Sequence, residues 1–480
     1  MKYLIYIVAF LEWWTTLSVE IVALRKFTPI IGSNSISTSI ILGVILLALS
    51  YWYYIWWKIS ANNKKLEKRL IINLLISSIY YFFITFLFTE IILQNILSFS
   101  WSYFISVLLS SIILFFVPVF LASQTIPLLS ELLKWNNSWE KMWKLLFFST
   151  IGSFIGSIST SIILFPLIWV FKTGVISAII LTFCALILSI FILKRNIKIQ
   201  FLSLILFWFF LYFNIVFDLN NMTNKFIIFE KANSYHNIKI YDIENELWKK
   251  RIFSLEWWYS SWIDLKDKKS FFEYIKEVEE RVIELKAKNI LVIWAAGFTF
   301  PNDISKYDFV ENIDVVDIDP ELKDISEKYF LQEKLSEKII FFPEPSRFFV
   351  NKKIEKLNNY KKYDLILVDA YSWKSLPPQV LTKEFFENLN KIGDNIFLNI
   401  IIDRDLGSIF SRNLLTTLNN SFNEVYLKDV NIWIWWFTNL IVSNKKYDKY
   451  LKNKITSWNI YTDDKNSIEL DLFELNEEKY

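Results

Sequence analysis

Long apolar stretches dominate residues 1–218 and restrict the folds open to this chain more than any other feature. Seven of them stand out, at residues 3–24, 36–57, 70–93, 101–123, 144–168, 173–193 and 199–217. Each is long enough to cross ~30 Å of hydrocarbon as an α-helix. A soluble core has no need of seven such segments, and charged residues gather between them. The sequence therefore predicts an α-helical, multi-span domain over 1–218, in contact with lipid as a multi-pass part of the cell membrane.

The chain changes character near residue 218, where charged residues become frequent and short β-rich runs begin. Three such runs, at 226–229, 238–241 and 251–255, predict a small β subdomain over 219–264. Five further runs alternate with helical patterns, at 290–293, 313–318, 338–342, 365–369 and 396–402. This alternation is typical of parallel sheets in α/β proteins. We expect a Rossmann-like, methyltransferase-type parallel sheet over 265–480, with an amphipathic helix at 271–285.

Two scarce residue types narrow the chemistry. Cys184 is the only cysteine, so no intrachain disulfide can form. His236 is the only histidine, which excludes a histidine-cluster metal site and any histidine-dependent triad. We therefore expect no metal, and a catalyst drawn from carboxylates, tyrosine, lysine or the backbone. The net charge of +3 gives no reason to expect nucleic acid as a partner.

The stretch from Lys288 to Phe330 carries the strongest functional signal. An apolar run leads into the small-residue turn 295–297, and a second run ends in the acidic segment 317–320. The spacing of about twenty residues between turn and acid is that of a nucleotide-binding βαβ unit. In such units the turn lets a ligand approach backbone N–H groups, and the acid accepts ribose hydroxyls. An ordinary βαβ crossover with two surface aspartates is the alternative.

These segments resemble the spermidine synthase (polyamine aminopropyltransferase) family, and the whole chain looks like its membrane-fused members. The family's G-x-G-x-G turn, E-I-D-P acids, G-D-A segment and catalytic strand end have counterparts at 294–298, 317–320, 343–345 and 367–371. The run 234–238 is similar to the family's Tyr-Gln-x-Ile strand, with His236 in place of glutamine. In the N-terminal half, the similar segments are 17–20, 152–156 and 165–166. The resemblance covers most of the chain.

The resemblance implies where an S-adenosyl cofactor would bind. We expect Asp317 on the ribose hydroxyls, Glu344 on the adenine amino group and Asp319 as a support for the turn. Asp319 could instead cap the following helix, and Glu344 could be a loop acid. The full set of expected cofactor residues is Trp294, Ala296, Gly297, Asp317, Asp319, Glu344 and Asp369. The implied cofactor is decarboxylated S-adenosylmethionine, or S-adenosylmethionine itself.

Asp369 is the expected catalytic base. A sulfonium donor is already activated, so transfer needs an amine that has lost its proton and is held in line. A carboxylate at the strand end would attract the ammonium form and accept its proton. Alternatively, Asp369 binds only the cofactor. Tyr235 and Tyr274 are expected to line the pocket of a small-molecule amine, unless they are simply packed. His236 is more readily explained as structural or as a cofactor contact than as a base.

Two departures from the family leave the function open. Where the family has a second acid on its catalytic strand, this chain has Ser372. Where the family has Tyr-His-Glu on its gating helix, this chain has residues 274–276, with Lys276 in place of the glutamate. Both changes remove groups that would bind a cationic amine. The leading prediction is a membrane-anchored, spermidine synthase-like aminopropyltransferase of polyamine biosynthesis. The alternatives are an S-adenosylmethionine-dependent methyltransferase, and a non-catalytic transporter or sensor that binds a nucleoside or a polyamine. A homo-oligomeric state stays open.

Tryptophan outnumbers glycine by 21 to 8, which is odd for a protein built on tight turns. Several tryptophans stand where the family has glycine, above all Trp294, whose indole would fill the space meant for the cofactor. We hypothesise that the source organism reads UGA as glycine and that the gene was translated with UGA as tryptophan. Every Trp replaced by Gly would give 29 glycines in 480 residues, near the ordinary ~7%. An interfacial aromatic belt could explain tryptophans in the membrane half, but not Trp294.

The side of the membrane on which the soluble part lies is a point of conflict. Basic clusters at 58–69, 134–144 and 194–198 predict a cytoplasmic face together with a cytoplasmic N-terminus. Seven spans would then place the soluble domain outside, away from a cytoplasmic cofactor. We expect a cytoplasmic soluble domain, with 199–217 lying in the interface or re-entering, or with one span fewer than counted.

Four residues stand out within or beside the spans. Glu20 and Glu90 are acids near span ends. An acid inside a membrane is functional by default, although both of these could simply reach water. Gly152 and Gly156 form a Gly-x-x-x-Gly pair, which predicts close packing between two helices.

Overall fold

The computed structural model describes residues 2–31, 35–59, 66–85, 96, 103–133, 138–168, 170–192, 197–221, 227–233, 235–244, 249–255, 258–355, 361–369, 377–430, 437–457, 459–465 and 467–479. Two compact units are found. The first comprises Met1–Asn224 and Ala232–Ser234, and the second comprises Lys225–Lys231 and Tyr235–Tyr480.

The first unit is built from helices. They are α1 (Lys2–Ile31), α2 (Ser35–Ile59), α3 (Leu66–Phe83), α4 (Tyr103–Ser111), α5 (Val117–Ser123), α6 (Thr125–Leu132), α7 (Ser138–Ser159), α8 (Phe165–Ile168), α9 (Val170–Ile192) and α10 (Ile197–Asn221). Two π-helical turns, Ile112–Phe116 and Thr160–Leu164, join α4 to α5 and α7 to α8.

Among the described residues, four helical segments are long and apolar enough to cross a membrane. They are Tyr3–Phe27, Phe104–Leu132, Trp139–Leu164 and Val170–Ile192. Two shorter apolar helices, Ser37–Trp52 and Ile197–Phe213, coincide with two further predicted stretches. The predicted span 70–93 begins in α3 and runs on beyond the described residues, which also exclude Glu90. The helical, apolar character of this half is therefore as predicted, and the four segments are its candidate membrane spans.

Two glycines set how closely α1 and α7 pack. A Cβ added at Gly152 would lie 2.3 Å from the carbonyl oxygen of Phe10, and one added at Gly156 would lie 2.5 Å from that of Trp14. Backbone atoms cannot turn away as the end of a side chain can, so both positions require glycine. The predicted close packing at this Gly-x-x-x-Gly pair is confirmed.

The second unit contains a small four-stranded sheet. Its strands are β1 (Ile227–Ala232), β2 (Asn237–Glu244), β3 (Lys249–Leu255) and β4 (Trp258–Asp264), paired in that order. The pairs β2–β3 and β3–β4 are antiparallel. Three of these strands overlap the predicted runs. The fourth was not predicted, because Ser260 and Ser261 interrupt the apolar pattern on which the prediction relied.

A larger, mixed sheet follows. Its elements are α11 (Glu273–Leu285), β5 (Asn289–Ile293), α12 (Thr299–Ser305), β6 (Asn312–Asp317), α13 (Leu322–Ile325), β7 (Ile339–Pro343), α14 (Ser346–Glu355), β8 (Tyr363–Val368), α15 (Lys383–Ile392), β9 (Gly393–Asp403), α16 (Ile409–Ser421), β10 (Tyr426–Val430), β11 (Phe437–Ser443), β12 (Leu451–Lys452) and α17 (Ile468–Lys479). The strand order is β12-β10-β11-β9-β8-β5-β6-β7.

The five strands β9-β8-β5-β6-β7 run parallel, as the Rossmann-like prediction requires. In β5, Leu291 and Ile293 face one hydrophobic core, whereas Ile290 and Val292 face the other. This alternation is expected for a strand buried on both faces. The Rossmann-like fold is confirmed. Beyond the five predicted strands the sheet continues at one edge with β10, β11 and β12, which were not predicted and are antiparallel. The connection between β10 and β11 is too short for a helical crossover, so only antiparallel pairing is available to them.

Candidate active site

The parallel strands bring several predicted residues to one edge of the sheet. Ile293 at the end of β5 pairs with Val316 on one side and with Val368 on the other. The turn after β5, the carboxylate of Asp317 and the carboxylate of Asp369 therefore lie at neighbouring strand ends. Ligands of doubly wound sheets bind in the crevice outside these carboxyl ends.

Asp369 is held by three hydrogen bonds. Its backbone N–H donates to the carbonyl oxygen of Ile293 at 3.0 Å, which fixes it directly after β8. Its Oδ2 accepts a 2.7 Å hydrogen bond from the hydroxyl of Tyr274, and its Oδ1 accepts a 2.7 Å hydrogen bond from Nδ2 of Asn399. Burial raises the pKa of the Asp369 carboxyl to about 6, while the bonds from Asn399 and Tyr274 favour the carboxylate and oppose the rise. A carboxylate in this state is suited to accept a proton near neutral pH.

The two donors come from different elements. Tyr274 lies in the first turn of α11 and is buried. Burial, followed by the adjacent Asp369 carboxylate, raises the pKa of Tyr274 well above its ordinary value, so its hydroxyl remains a donor. Asn399 lies on β9, and its amide oxygen is buried with no hydrogen-bond partner among the described residues. Sequence reasoning missed Asn399, although an amide inside the apolar run 396–402 was a usable signal.

Asp317 is the last residue of β6, beside the turn that follows β5. It is 5% exposed, and its Oδ1 accepts the backbone N–H of Asp319 at 3.2 Å. Burial raises the pKa of the Asp317 carboxyl to about 7, opposed by hydrogen bonds from the backbone of Asp319, Ile318 and Ala295. Asp319 is fully buried, and its Oδ1 accepts the N–H of Glu321 at 3.0 Å, just before α13. This contact is a local turn ahead of α13, whose N-cap position is Glu321 and has no side-chain cap, so the capping role offered for Asp319 is not what the structure has.

The turn itself has an unusual backbone. Trp294, Ala296 and Phe298 adopt φ angles of 67°, 43° and 58°. This left-handed region favours glycine and is costly for a bulky side chain. The N–H of Trp294 donates to Val316 O at 2.8 Å. The N–H of Gly297 donates to Ser261 Oγ at 3.0 Å, and a Cβ added at Gly297 would lie 2.5 Å from the Phe330 ring. The indole of Trp294 is half-buried against the sheet core.

Other predicted residues lie apart from the Asp369 group. Glu344 follows β7 and forms an ion pair with Lys352 at 3.3 Å. Tyr235 lies in the bend before β2 and is 41% exposed, whereas the described bonds of the Asp369 side chain go to Tyr274 and Asn399. His236 is half-buried. Ser372 and the rest of 370–376 lie outside the described residues.

The donor set at this edge can be compared with what an adenosyl sulfonium compound needs. Carboxylates at the ends of β6 and β8 offer acceptors to sugar hydroxyls and to a cationic group. The turn is expected to fit less well, because an indole at residue 294 would crowd a ligand that approaches the backbone, and the structure packs this side chain against the sheet core. With glycine at residue 294 the same backbone conformation would be unstrained. The residues present therefore fit the cofactor apart from the indole.

Comparisons with known proteins agree with this geometry. Residues 273–398 match the family model of the spermine/spermidine synthase domain. The chain is 28% identical over 123 residues to the polyamine aminopropyltransferase of Vibrio vulnificus (strain CMCP6), which covers 25% of this chain and 40% of that protein. It is 26% identical over 250 residues to the polyamine aminopropyltransferase of Prochlorococcus marinus (strain AS9601), which covers 48% of this chain and 83% of that protein.

A solved structure is similar as well. The spermidine synthase from Thermotoga maritima aligns with a TM-score of 0.34 and 16% identity, over 46% of this chain and 73% of that one. The chain spans less than half the length of the Vibrio relative, 40%. The resemblance to the polyamine aminopropyltransferases is confirmed for the part of the chain that carries the parallel sheet. This similarity rests on residues 273–398, which match the model of the spermine/spermidine synthase domain.

Proposed function

We propose that the protein is a membrane-anchored aminopropyltransferase that uses decarboxylated S-adenosylmethionine and a small amine. One observation carries the proposal: Asp369 is held at a strand end by Tyr274 and Asn399, with its pKa raised to about 6. We also propose the domain division expected from the sequence, with membrane helices over 1–218, the small sheet over 219–264 and the synthase-like domain over 265–480. The soluble part is proposed to be cytoplasmic.

Asp369 is the proposed base. When bound, the sulfonium donor supplies an activated propyl carbon and a thioether leaving group, so the C–N bond forms as the C–S bond breaks. Asp369 attracts the ammonium form of the acceptor and takes its proton, which leaves a neutral nitrogen lone pair for the attack. Tyr274 and Asn399 fix the carboxylate by one donor on each oxygen, and this positioning holds the amine in line.

Asn399 offers a further acceptor beside the base. Its Nδ2 donates a hydrogen bond to Asp369 Oδ1, while its own Oδ1 is buried without a hydrogen-bond partner among the described residues. A buried amide oxygen in this state costs free energy unless a ligand donates to it. An amine carries such donors. The pair of acceptors therefore favours an amine substrate over a purely apolar one.

The donor is proposed to lie across the ends of β5 and β6. Asp317 would accept ribose hydroxyls there, and Glu344 would face the adenine amino group after giving up Lys352. Asp319 would contribute by accepting the N–H of Glu321 and donating its own N–H to Asp317, which keeps the acidic loop in place. Trp294 limits binding as long as its indole stands in the turn. The Tyr274 hydroxyl donates its hydrogen bond to Asp369. We therefore propose that Tyr274 orients the base and lines the acceptor pocket from that position.

The proposal is tested on the full-length chain carrying Trp294→Gly. The protein is incubated with decarboxylated or carboxylated S-adenosylmethionine and with putrescine, cadaverine or propylamine, and the products are identified by mass spectrometry. Aminopropylated amine, formed only from the decarboxylated donor, is the expected result. A methylated product would favour the methyltransferase reading. Binding of either donor without any product would favour the sensor or transporter reading.

A further inference from the structure

The helical unit contains a carboxylate that sequence reasoning did not single out. Glu12 lies in α1 and is 2% exposed. It is 9 residues from the start of the candidate span Tyr3–Phe27, or roughly 13 Å along a helix rising ~1.5 Å per residue. It is therefore deep in the apolar segment, unlike Glu20, which is only half-buried. A carboxylate at this depth is expensive and is retained for a reason.

One oxygen of Glu12 lacks a partner. Oε2 is buried and has no hydrogen bond among the described residues. The side chain lies within hydrogen-bonding range of the hydroxyls of Thr125 on α6 and Thr16 on α1. The titratable groups that interact electrostatically with it are Glu20, Tyr81 and Cys184. None of these groups is a cation. In the part of the chain that the structure describes, no lysine or arginine forms an ion pair with Glu12.

The surrounding hydroxyls are ordered by their own bonds. Thr16 Oγ1 donates to the carbonyl oxygen of Glu12 at 2.9 Å and lies 2.9 Å from the hydroxyl of Tyr81 on α3. Thr125 and Tyr81 are fully buried. Arg69, one of the two basic residues of α3, instead donates to Oε1 of Gln124 at 3.1 Å. Among the described residues, the carboxylate thus lies near hydroxyl groups of α1 and α6, with the Tyr81 hydroxyl of α3 bonded to one of them, and near no fixed positive charge.

We propose that Glu12 is the centre of an alkylammonium-binding site inside the helical unit. A primary ammonium group has three N–H donors, which match one carboxylate oxygen and two hydroxyl oxygens. A metal ion is a poorer match, because hard cations take six or more oxygen ligands. Neighbouring buried side chains, including Val8, Ala9 and Val19, are apolar and would accept the hydrocarbon part of an amine. The inference does not depend on the proposed transferase activity.

The site can be probed through Glu12 itself. Dicyclohexylcarbodiimide reacts with protonated carboxyl groups in apolar surroundings, and the labelled peptide is quantified by mass spectrometry. The full-length chain, in lipid nanodiscs at constant pH and ionic strength, is labelled with increasing propylamine or putrescine. We expect both amines to protect Glu12. Sodium chloride, and choline chloride, whose cation has no N–H donor, should not protect.

Variants separate a binding site from a structural acid. Thr125→Val removes one ligand hydroxyl and should raise the amine concentration for half-protection about tenfold, as loss of one bond to a charged group implies. Thr182→Val is the matched control, because Thr182 is fully buried in α9 but donates to its own helix at Ala178 O, 2.6 Å away. That variant should leave protection unchanged. In the Asp369→Asn variant the amines should protect Glu12 as they do in the unsubstituted chain, which distinguishes this site from the proposed active site.

Three results would overturn the proposal. One is labelling of Glu12 that no amine reduces, and another is equal protection by sodium. The third is the absence of labelling at Glu12 at every pH between 5 and 8, which would mean that the carboxyl is sealed. Glu12→Gln identifies the labelled peptide, and its elution volume and thermal stability check that the isosteric change leaves the fold intact.

Discussion

The hydroxyl of Tyr274 donates a 2.7 Å hydrogen bond to Oδ2 of Asp369, joining the first turn of α11 to the end of β8. Because this bond favours the ionised carboxylate, it opposes the effect of burial, which holds the Asp369 pKa near 6. The base that we propose is therefore tuned by a residue nearly one hundred positions away in sequence.

Tyr274→Phe should shift the pH dependence of the reaction. Loss of the donor raises the Asp369 pKa above about 6, and the base works only when deprotonated. The acid limb of the kcat/KM profile should therefore move to higher pH, with a roughly tenfold lower rate at pH 6. Tyr307→Phe is the control, since Tyr307 donates a bond of the same length, 2.7 Å, to Glu279 elsewhere. An unmoved acid limb would remove Tyr274 from this role.

Asp369→Asn should lower turnover of the Trp294→Gly chain by a factor on the order of 10²–10⁴. Asparagine keeps the shape and one acceptor oxygen, so calorimetric titration of the donor should change far less. Asp364→Asn makes the same change near the other end of β8, where Asp364 accepts the backbone N–H groups of Lys288 and Asn289. That variant should keep its turnover. Transfer that survives Asp369→Asn unchanged would leave Asp369 as a cofactor ligand only.

Trp294→Gly should strengthen donor binding at least tenfold. The φ of 67° at residue 294 suits glycine, and we expect an indole in this turn to crowd the approach of the donor. Trp294→Ala separates the two causes, because it removes the indole but keeps a Cβ at an unfavourable φ. We expect it to recover binding but to unfold at a lower temperature than Trp294→Gly. Equal donor affinity of the unsubstituted chain and Trp294→Gly would contradict the steric argument, and a UGG codon at residue 294 would refute the glycine hypothesis.

The sheet shows why some parts were predictable and others were not. The spacing from the turn to Asp317 and Asp319 is local, and it correctly predicted a parallel pair of β5 and β6. Tyr274 and Asp369 were each proposed from motif similarity, but their bond joins distant segments and only the folded chain reveals it. Asn399 escaped notice because a single amide in an apolar strand has no motif around it.

The membrane half shows a different limit. Hydropathy identifies helices that are apolar along their length, but it does not distinguish the face of a helix that turns inward. Glu12 was therefore overlooked while the more visible Glu20 was named, although Glu12 is the more deeply buried of the two. The antiparallel edge formed by β10 and β11 was missed for a related reason, since strand direction depends on the length of a connection rather than on the strand itself.

The protonation of Asp317 should make stability depend on pH. Burial raises its pKa from 3.8 to about 7 in the folded chain. Between these values the folded state holds a proton that the unfolded state has lost, so the free energy of unfolding falls as pH rises from about 4 to 7. Asp317→Asn removes the titrating group and with it this fall in the free energy of unfolding. The Tm of the variant should therefore exceed that of the unsubstituted chain by more at pH 8 than at pH 5. Asp324→Asn, an exposed aspartate on α13, should show no such difference. A gain independent of pH would contradict the assignment.

The Gly152 and Gly156 contacts predict a strong and local sensitivity in the helical unit. Gly152→Ala would place a Cβ 2.3 Å from Phe10 O, so α1 and α7 must move apart at a cost of about 1–3 kcal/mol. Gly43→Ala is the matched control, because nothing lies within 4 Å of a Cβ at Gly43 in α2. Alanine is also the better helix former, so this variant should be neutral or slightly stabilising. Thermal unfolding of the detergent-solubilised full chain measures both, and we expect a lower Tm for Gly152→Ala and Gly156→Ala only. If Gly152→Ala proved as stable as Gly43→Ala, α1 and α7 could not be packed through their backbones as the structure has them.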